Sequence, residues 1–333
     1  MLTRDDALSR IGSARTATAL FGPRTDDPER QREARRLFRG LATALHPDHV
    51  GAHDDEAADA TSALTRLFDQ WRRGGVELRT AKGRYRVDAP HAVGSVANVY
   101  LTSAGHAVKI VRKPAANPLL HAEQRALAAL TAFTDRNRWL RPYYPRVVDT
   151  SGPADREFTV FEALADGFVT LADVRRAYPD GLDGRDYAWM HRRLLRAVAG
   201  AHRVGLVHGA IVPENVLVHP RQHGIVLVGW SFAVERDQRL LATSAAFRDA
   251  YPPEVLDRQP VTAALDVHMA HGVMLDMLAQ NEKRQRRFAL GCRQRDPDRR
   301  PDAVDLLDEY DALLHDLYGD REFRPFAVPR NGE

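Results

Sequence analysis

Lys109 is a lone cation in the apolar run Ala107-Val108-Lys109-Ile110, and Glu123 is a carboxylate in the helical stretch that follows. Asn215 offers a neutral amide oxygen, a poor ligand for a hard cation such as magnesium. Gly94 lies in Ala92-Val93-Gly94-Ser95-Val96-Ala97, where a backbone without a Cβ can approach a bound group closely. A second set lies near the start: His46-Pro47-Asp48 follows an amphipathic stretch that carries Arg35 and Arg39 on one face. Pro47 ends a helix, Asp48 can cap or pair, and the arginines form a charged docking face whose binding should weaken with salt. His49 and His53 neighbour Asp54 and Asp55, but a polar loop with no second ligand set reads as solvated, not metal-binding. Lys283, Arg284, Arg286, Arg287, Arg293 and Arg295 would neutralise nucleic-acid phosphates, although without aromatic interleaving they read as a solvated helix face. The single cysteine, Cys292, excludes an intrachain disulfide framework and reads as a small buried hydrophobe.

The elements that must position these groups follow from hydrophobic periodicity. Helical spacing is clear over 28–45 and 55–71, with the turn-rich 46–53 between them, and Arg73-Gly74-Gly75 breaks the pattern. Strand and turn signals then occupy 77–89, followed by strands over 96–101 and 106–112, a helix over 118–133, and strands around Pro145 and over 158–161. Helices dominate afterwards, over 187–204, 264–278, 284–293 and 301–317, interrupted by strands over 215–218 and 225–228. The expected architecture is a small strand-rich lobe before a larger helical one. Residues 319–333 are expected to lie extended, with Phe323 and Phe326 as anchors.

Composition narrows the classes. A chain of 333 residues with 44% hydrophobic content can bury a substantial core. Its longest apolar run, 225–234, has strand length, so a soluble cytoplasmic protein with no signal peptide and no membrane association is expected. The net charge is only +3, and four lysines stand against forty-four arginines, a bias expected of GC-rich coding more than of a nucleic-acid partner.

In order and spacing, Gly94 in its turn, the Ala107-Val108-Lys109-Ile110 strand and Glu123 resemble the Gly-rich loop, V-A-I-K strand and C-helix glutamate of protein kinases. The resemblance implies that Lys109 holds nucleotide phosphates and Glu123 orients it. Further on, Val207-His208-Gly209-Ala210-Ile211-Val212-Pro213-Glu214-Asn215 is similar to the catalytic loop H-R-D-x-x-x-x-N, and Gly229-Trp230-Ser231 stands where D-F-G belongs. Ala210 thus replaces the catalytic aspartate and Gly229 the metal-binding one, while the metal-binding asparagine remains as Asn215. Tyr251-Pro252-Pro253-Glu254, Asp266 and Arg300-Pro301 match later structural landmarks, and Glu254 and Arg300 would pair inside the helical lobe. The loop around Gly94 departs from the family, since Ala92 and Ala97 replace glycines, which should weaken nucleotide binding.

The N-terminal stretch, about 17–71, resembles the J-domain (DnaJ-type) family, in which a basic helix leads into an H-P-D loop and a third helix follows. That resemblance implies that His46, Pro47, Asp48, Arg35 and Arg39 dock on a DnaK-type heat-shock ATPase. No fourth helix follows, because the chain turns into a strand after Gly75.

The expected fold class is therefore α+β: a bilobal protein-kinase-like fold with a small N-terminal all-α J-domain-like domain. Its expected segments are 1–74 (helical), 76–165 (first lobe), 166–318 (second lobe) and 319–333 (tail). The expected function is that of a catalytically impaired pseudokinase, a scaffold or regulator that binds a protein partner and has ATP at most as a weak, metal-independent ligand. The alternatives are an active atypical kinase or nucleotidyl transferase, and binding of nucleic acid through the basic cluster at 283–295.

Overall fold

The computed structural model describes residues 2–14, 16–22, 24, 27–46 and 54–329. The chain forms two compact units: Met1–Ala116 with Val148–Ala163, and Asn117–Val147 with Leu164–Glu333.

The first unit opens with four described helices: α1 (Arg4–Ser13), α2 (Ala17–Phe21), α3 (Pro28–Ala44) and α4 (Asp55–Arg73). Helix α1 begins with a capping box, Thr3 and Asp6 each accepting from the other's backbone N–H. Pro28 at the first turn of α3 sets the helical φ without removing a needed donor. The helices enclose a core of Ala7, Ile11, Phe21, Ala34, Leu41, Leu45, Leu64 and Trp71, with Phe68 stacked on both Phe38 and Trp71. Arg4 fastens the start of α1 to α4, donating to Asp54 at 2.6 Å and to Glu56 at 2.8 Å.

An antiparallel hairpin follows, β1 (Val76–Arg79) and β2 (Arg84–Val87). It is tied back by side-chain hydrogen bonds: Thr80 in its turn and the Tyr85 hydroxyl, the latter at 2.9 Å, both donate to the buried Asp149, and Thr18 Oγ1 donates to Asp88 just after β2 at 2.5 Å. Strands β3 (Pro90–Val93), β4 (Ala97–Leu101), β5 (His106–Val111), β6 (Val147–Thr150) and β7 (Phe158–Glu162) make a sheet in the order β3-β4-β5-β7-β6. Val108, Ile110, Phe158 and Val160 fill its core face, so the alternating pattern leaves Lys109 on the other.

The second unit begins with α5 (Asn117–Arg136) and a 3₁₀ helix over Arg138–Tyr143. A strand was expected near Pro145, but Leu140 and Tyr143 point inward three residues apart, the period of a 3₁₀ turn, and the strand β6 starts only at Val147. Strands β8 (Val169–Thr170), β10 (Val216–His219) and β11 (Gly224–Leu227) pair in the order β11-β10-β8, and β9 (Leu206–Val207) pairs with β12 (Val234–Glu235). Around them lie α6 (Leu171–Ala177), α7 (Gly184–Arg203), α8 (Pro253–Leu256), α9 (Ala263–Met277), α10 (Lys283–Gly291) and α11 (Asp305–Tyr318). Helix α9 is buried nearly all round, as its Met-, Val- and Ala-rich sequence requires. Residues 319–329 carry no helix or strand; Phe326 is buried against Tyr178 and Trp189, and Tyr178 donates to the Ala327 carbonyl at 2.6 Å. No described helix is long and apolar enough to cross a membrane.

Candidate functional site

The polar centre of the second unit is built on Asp266, fully buried in α9. One carboxylate oxygen accepts from the His208 N–H at 2.7 Å and from His202 Nε2 at 3.0 Å; the other accepts from the Gly209 N–H at 2.9 Å. Burial pushes this carboxyl up, but the hydrogen bond and attraction of His202 outweigh it and hold Asp266 below its ordinary value. The loop after β9 is thus suspended from the helix by its own amides. His208 continues the network, with Nε2 donating to the Val228 carbonyl at 2.9 Å and Nδ1 accepting from the Ala210 N–H at 3.2 Å.

The structure brings Ala210, Asn215 and Gly229 together. Ala210 is 2% exposed, with Ile211 and Val212 equally buried. Asn215 Nδ2 donates to the Ala210 carbonyl at 2.8 Å, which lays its amide against Gly229. A Cβ on Gly229 would stand 2.4 Å from Asn215 Cγ, and its φ of +85° is itself strained for any other residue. The space that a side chain at position 229 would need is therefore taken by Asn215. Gly209 is closed similarly, since a Cβ there would lie 2.8 Å from Leu240 Cδ2. Trp230 is fully buried; its indole donates to the Leu227 carbonyl at 2.7 Å and meets the rings of Tyr144 and His208 edge-on. Ser231 donates to the buried Glu123 at 3.5 Å, so within this unit α5 is attached to the segment after β11.

In the first unit, Lys109 is half-buried on β5, in register with Val99 on β4 and Thr159 on β7. The loop that carries Gly94 closes on itself: the Gly94 N–H donates to the Ala97 carbonyl at 3.0 Å and the Gly94 carbonyl accepts from Arg112 at 3.3 Å. That amide is engaged within the hairpin and is not directed at a phosphate. These residues fit a magnesium–nucleotide poorly: no carboxylate stands at 210 or 229, and the neutral amide oxygen of Asn215 is a weak ligand for a hard cation. Among the described residues no group of three or more histidine, cysteine or acidic side chains is arranged to hold a metal ion.

Arg35 and Arg39 are exposed on α3, with Arg39 Nε donating to the Arg35 carbonyl at 3.3 Å, and His46 is exposed just past the helix end. Pro47, Asp48, His49 and His53 lie outside the described residues. Asp54, read from sequence as a solvated neighbour of those histidines, instead caps α4 by accepting from the Ala57 N–H, and Arg4 holds its carboxyl down to about 2. That partner was missed, although the Thr3-x-x-Asp6 spacing signals the helix that carries Arg4. The basic cluster is thinned by the fold. Arg286 caps the end of α9 through the Leu275 and Leu278 carbonyls, Arg293 donates to His268, and Arg284 pairs with Asp316. Cys292 is buried, which pushes its thiol up to about 12.

No protein-family model matches the chain. It is 25% identical over 215 residues to "Probable serine/threonine-protein kinase pknA2" of Bifidobacterium longum, a match that covers 59% of this chain. The chain spans only about a quarter (26%) of that relative's length. Among solved structures, vaccinia related kinase 3 superposes with a TM-score of 0.61 at 16% identity, covering 77% of this chain and 94% of that one. With Asp266, Glu254, Arg300, Lys109 and Glu123 at their expected places in the order of elements, the chain carries a mixed α/β protein-kinase-like fold.

Proposed function

We propose that the chain is a pseudokinase, a scaffold or regulatory protein of the cytoplasm whose kinase-like part binds a protein partner without transferring phosphate. The observation that carries this is the packing of Asn215 against Gly229 beside the buried Ala210. In kinase-like chemistry the carboxylates at these positions take a proton and hold magnesium. Losing the base alone costs about 10²- to 10⁴-fold, and the neutral amide of Asn215 is a poor substitute ligand for magnesium. Such ATP binding as Lys109 supports is weak and metal-independent. Incubation with labelled ATP and magnesium or manganese tests the claim, with Lys109→Ala as control. Label transferred by the wild type and lost in Lys109→Ala would establish an active kinase or nucleotidyl transferase instead. A thermal-shift series with ATP, with and without magnesium, separates a nucleotide-responsive scaffold from an inert one.

The second half of the proposal is that the helical segment recruits a DnaK-type heat-shock ATPase. Exposed Arg35 and Arg39 on α3, with His46 at its end, support it. Stimulation of such an ATPase by the wild type, lost in His46→Gln, is the expected result. An ATPase rate unchanged by the wild-type chain removes this half and leaves the first intact.

A further inference from the structure

The 3₁₀ helix over Arg138–Tyr143 sorts its side chains into three rows, because three residues make a turn. Leu140 and Tyr143 form the inward row, 3% and 4% exposed. Arg138 and Arg141 form a second, about 6 Å apart by the rise of such a helix. Trp139 and Pro142 form the third, and Trp139 is 64% exposed, an unusual setting for the most costly side chain to leave in water. Arg136, at the end of α5, adds another exposed guanidinium.

Among the described residues, no carboxylate pairs with Arg136, Arg138 or Arg141, and no side-chain hydrogen bond engages them. This contrasts with the basic cluster in and just after α10, where Arg284, Arg286 and Arg293 are each occupied. The platform is firmly seated: Tyr144 donates to the Ala197 carbonyl of α7 at 2.7 Å, and Arg193 of α7 reaches the Tyr143 hydroxyl at 3.5 Å. The exposed groups are thus presented on a fixed base.

The geometry points to a single-stranded nucleic-acid contact on this face, with Trp139 stacking on a base and Arg136, Arg138 and Arg141 holding the flanking phosphates. The ligand must be polyanionic to match three unpaired guanidiniums and must offer a flat π face to an indole that stands proud of the surface. An acidic peptide supplies the charge but not the face. A bilayer supplies neither ring nor enough apolar contact, since only Pro142 accompanies the tryptophan. In a duplex the bases are already stacked on each other, so a single strand is the form that can reach Trp139.

Fluorescence anisotropy of the full chain with labelled oligonucleotides of about 12 nucleotides tests this. The logarithm of the binding constant should fall with the logarithm of salt at a slope of about −2, as expected for three phosphates on a single strand. Trp139→Ala should weaken binding about 5-fold or more, the size of one stacked base. The double variant Arg138→Glu with Arg141→Glu should weaken it at least about 10-fold and flatten the slope. These residues are exposed, so the variants keep the fold, and circular dichroism checks that. Arg284→Glu with Arg287→Glu should bind as the wild type does. No binding at about 50 mM salt, or binding that the α10 variant abolishes and the Trp139 and Arg138 variants do not, overturns the proposal. So does binding of phosphatidylserine vesicles in place of the oligonucleotide.

Discussion

In the second unit Arg300 donates to both oxygens of Glu254 and to the Gln294, Arg295 and Ala264 carbonyls, whereas Ala210 and Gly229 bring no polar side-chain atom to the place where they meet Asn215. Both regions correspond to landmark positions of kinase-like chains, yet one carries charged side chains and the other carries none. The difference lies in what each charge serves. Arg300 and Asp266 satisfy buried backbone groups that exist whether or not a substrate is bound, and Glu254 neutralises the buried Arg300, so the fold itself demands them. A carboxylate at 210 or 229 would answer only to a ligand. Nothing in the packing requires it.

The sharpest way to break this comparison is to remove a charge from the region that carries them. Arg300→Met leaves Glu254 buried without a partner, along with three carbonyls, and should cost about 3–5 kcal/mol of unfolding free energy. Urea denaturation followed by circular dichroism measures it. An Ala210→Asp change, by contrast, adds a charge where 2% of the residue is exposed and should destabilise the chain without restoring transfer. A stable, phosphorylating Ala210→Asp variant would erase the distinction between the two regions.

A second buried polar structure sharpens it through pH. His271 donates from Nδ1 to the Val267 carbonyl at 2.7 Å, which leaves its Nε2 to accept from His191 Nε2 at 3.3 Å, both rings fully buried. Burial pushes both below the usual histidine value, His271 to about 4, and each ring's charge would oppose the other's. The folded chain keeps these rings neutral while the unfolded chain protonates them near 6.5. The stability they support is therefore whole above about pH 6.5 and drains as pH falls toward about 4. Each histidine adds about 1.4 kcal/mol per pH unit to that slope, and His271 alone accounts for about 3 kcal/mol across the window. Urea midpoints at a series of pH values should show the slope, and His271→Gln should reduce it.

The uncharged region yields a smaller effect. Gly229→Ala puts a methyl at φ +85° and 2.4 Å from Asn215 Cγ, and should cost about 2 kcal/mol, of which about 1–2 is backbone strain. In an Asn215→Ala background the steric part should vanish and only the strain remain. Equal costs in the two backgrounds would show that Asn215 does not fill the space.

How much of this was legible in the sequence varies with how local the cause is. Lys109, Glu123, Asn215, Glu254, Asp266 and Arg300 were readable because their order along the chain fixes the register of the fold. Asn215 packing on Gly229 was not, since it depends on which way an amide side chain turns once β10 and β11 are paired. Helix α1 was overlooked because its first residues are polar, although its cap is written in Thr3 and Asp6. The strand expected around Pro145 is there but starts at Val147, and the 3₁₀ helix over 138–143 before it gave no signal because the short inward pair Leu140 and Tyr143 has neither helical nor strand period.

The smallest effect concerns the tail, where two phenylalanines expected to act alike are separated by burial. Phe326 is 7% exposed and packs on Tyr178 and Trp189, while Phe323 is 68% exposed and only lies over His223, itself stacked on Trp189. Because residues 319–329 form no helix or strand, removing this anchor releases the segment instead of opening a cavity in the core, so the cost stays well below that of a buried core phenylalanine. Phe326→Ala should therefore cost about 1 kcal/mol and raise trypsin cleavage at Arg321 and Arg324 about 5-fold, whereas Phe323→Ala should change either by little. Arg324 also pairs with Asp186 on α7 at 2.9 Å, a half-exposed contact that alone should not keep the segment down. If Phe323→Ala frees the tail as readily as Phe326→Ala, the stack on His223 is the anchor and burial is the wrong guide to it.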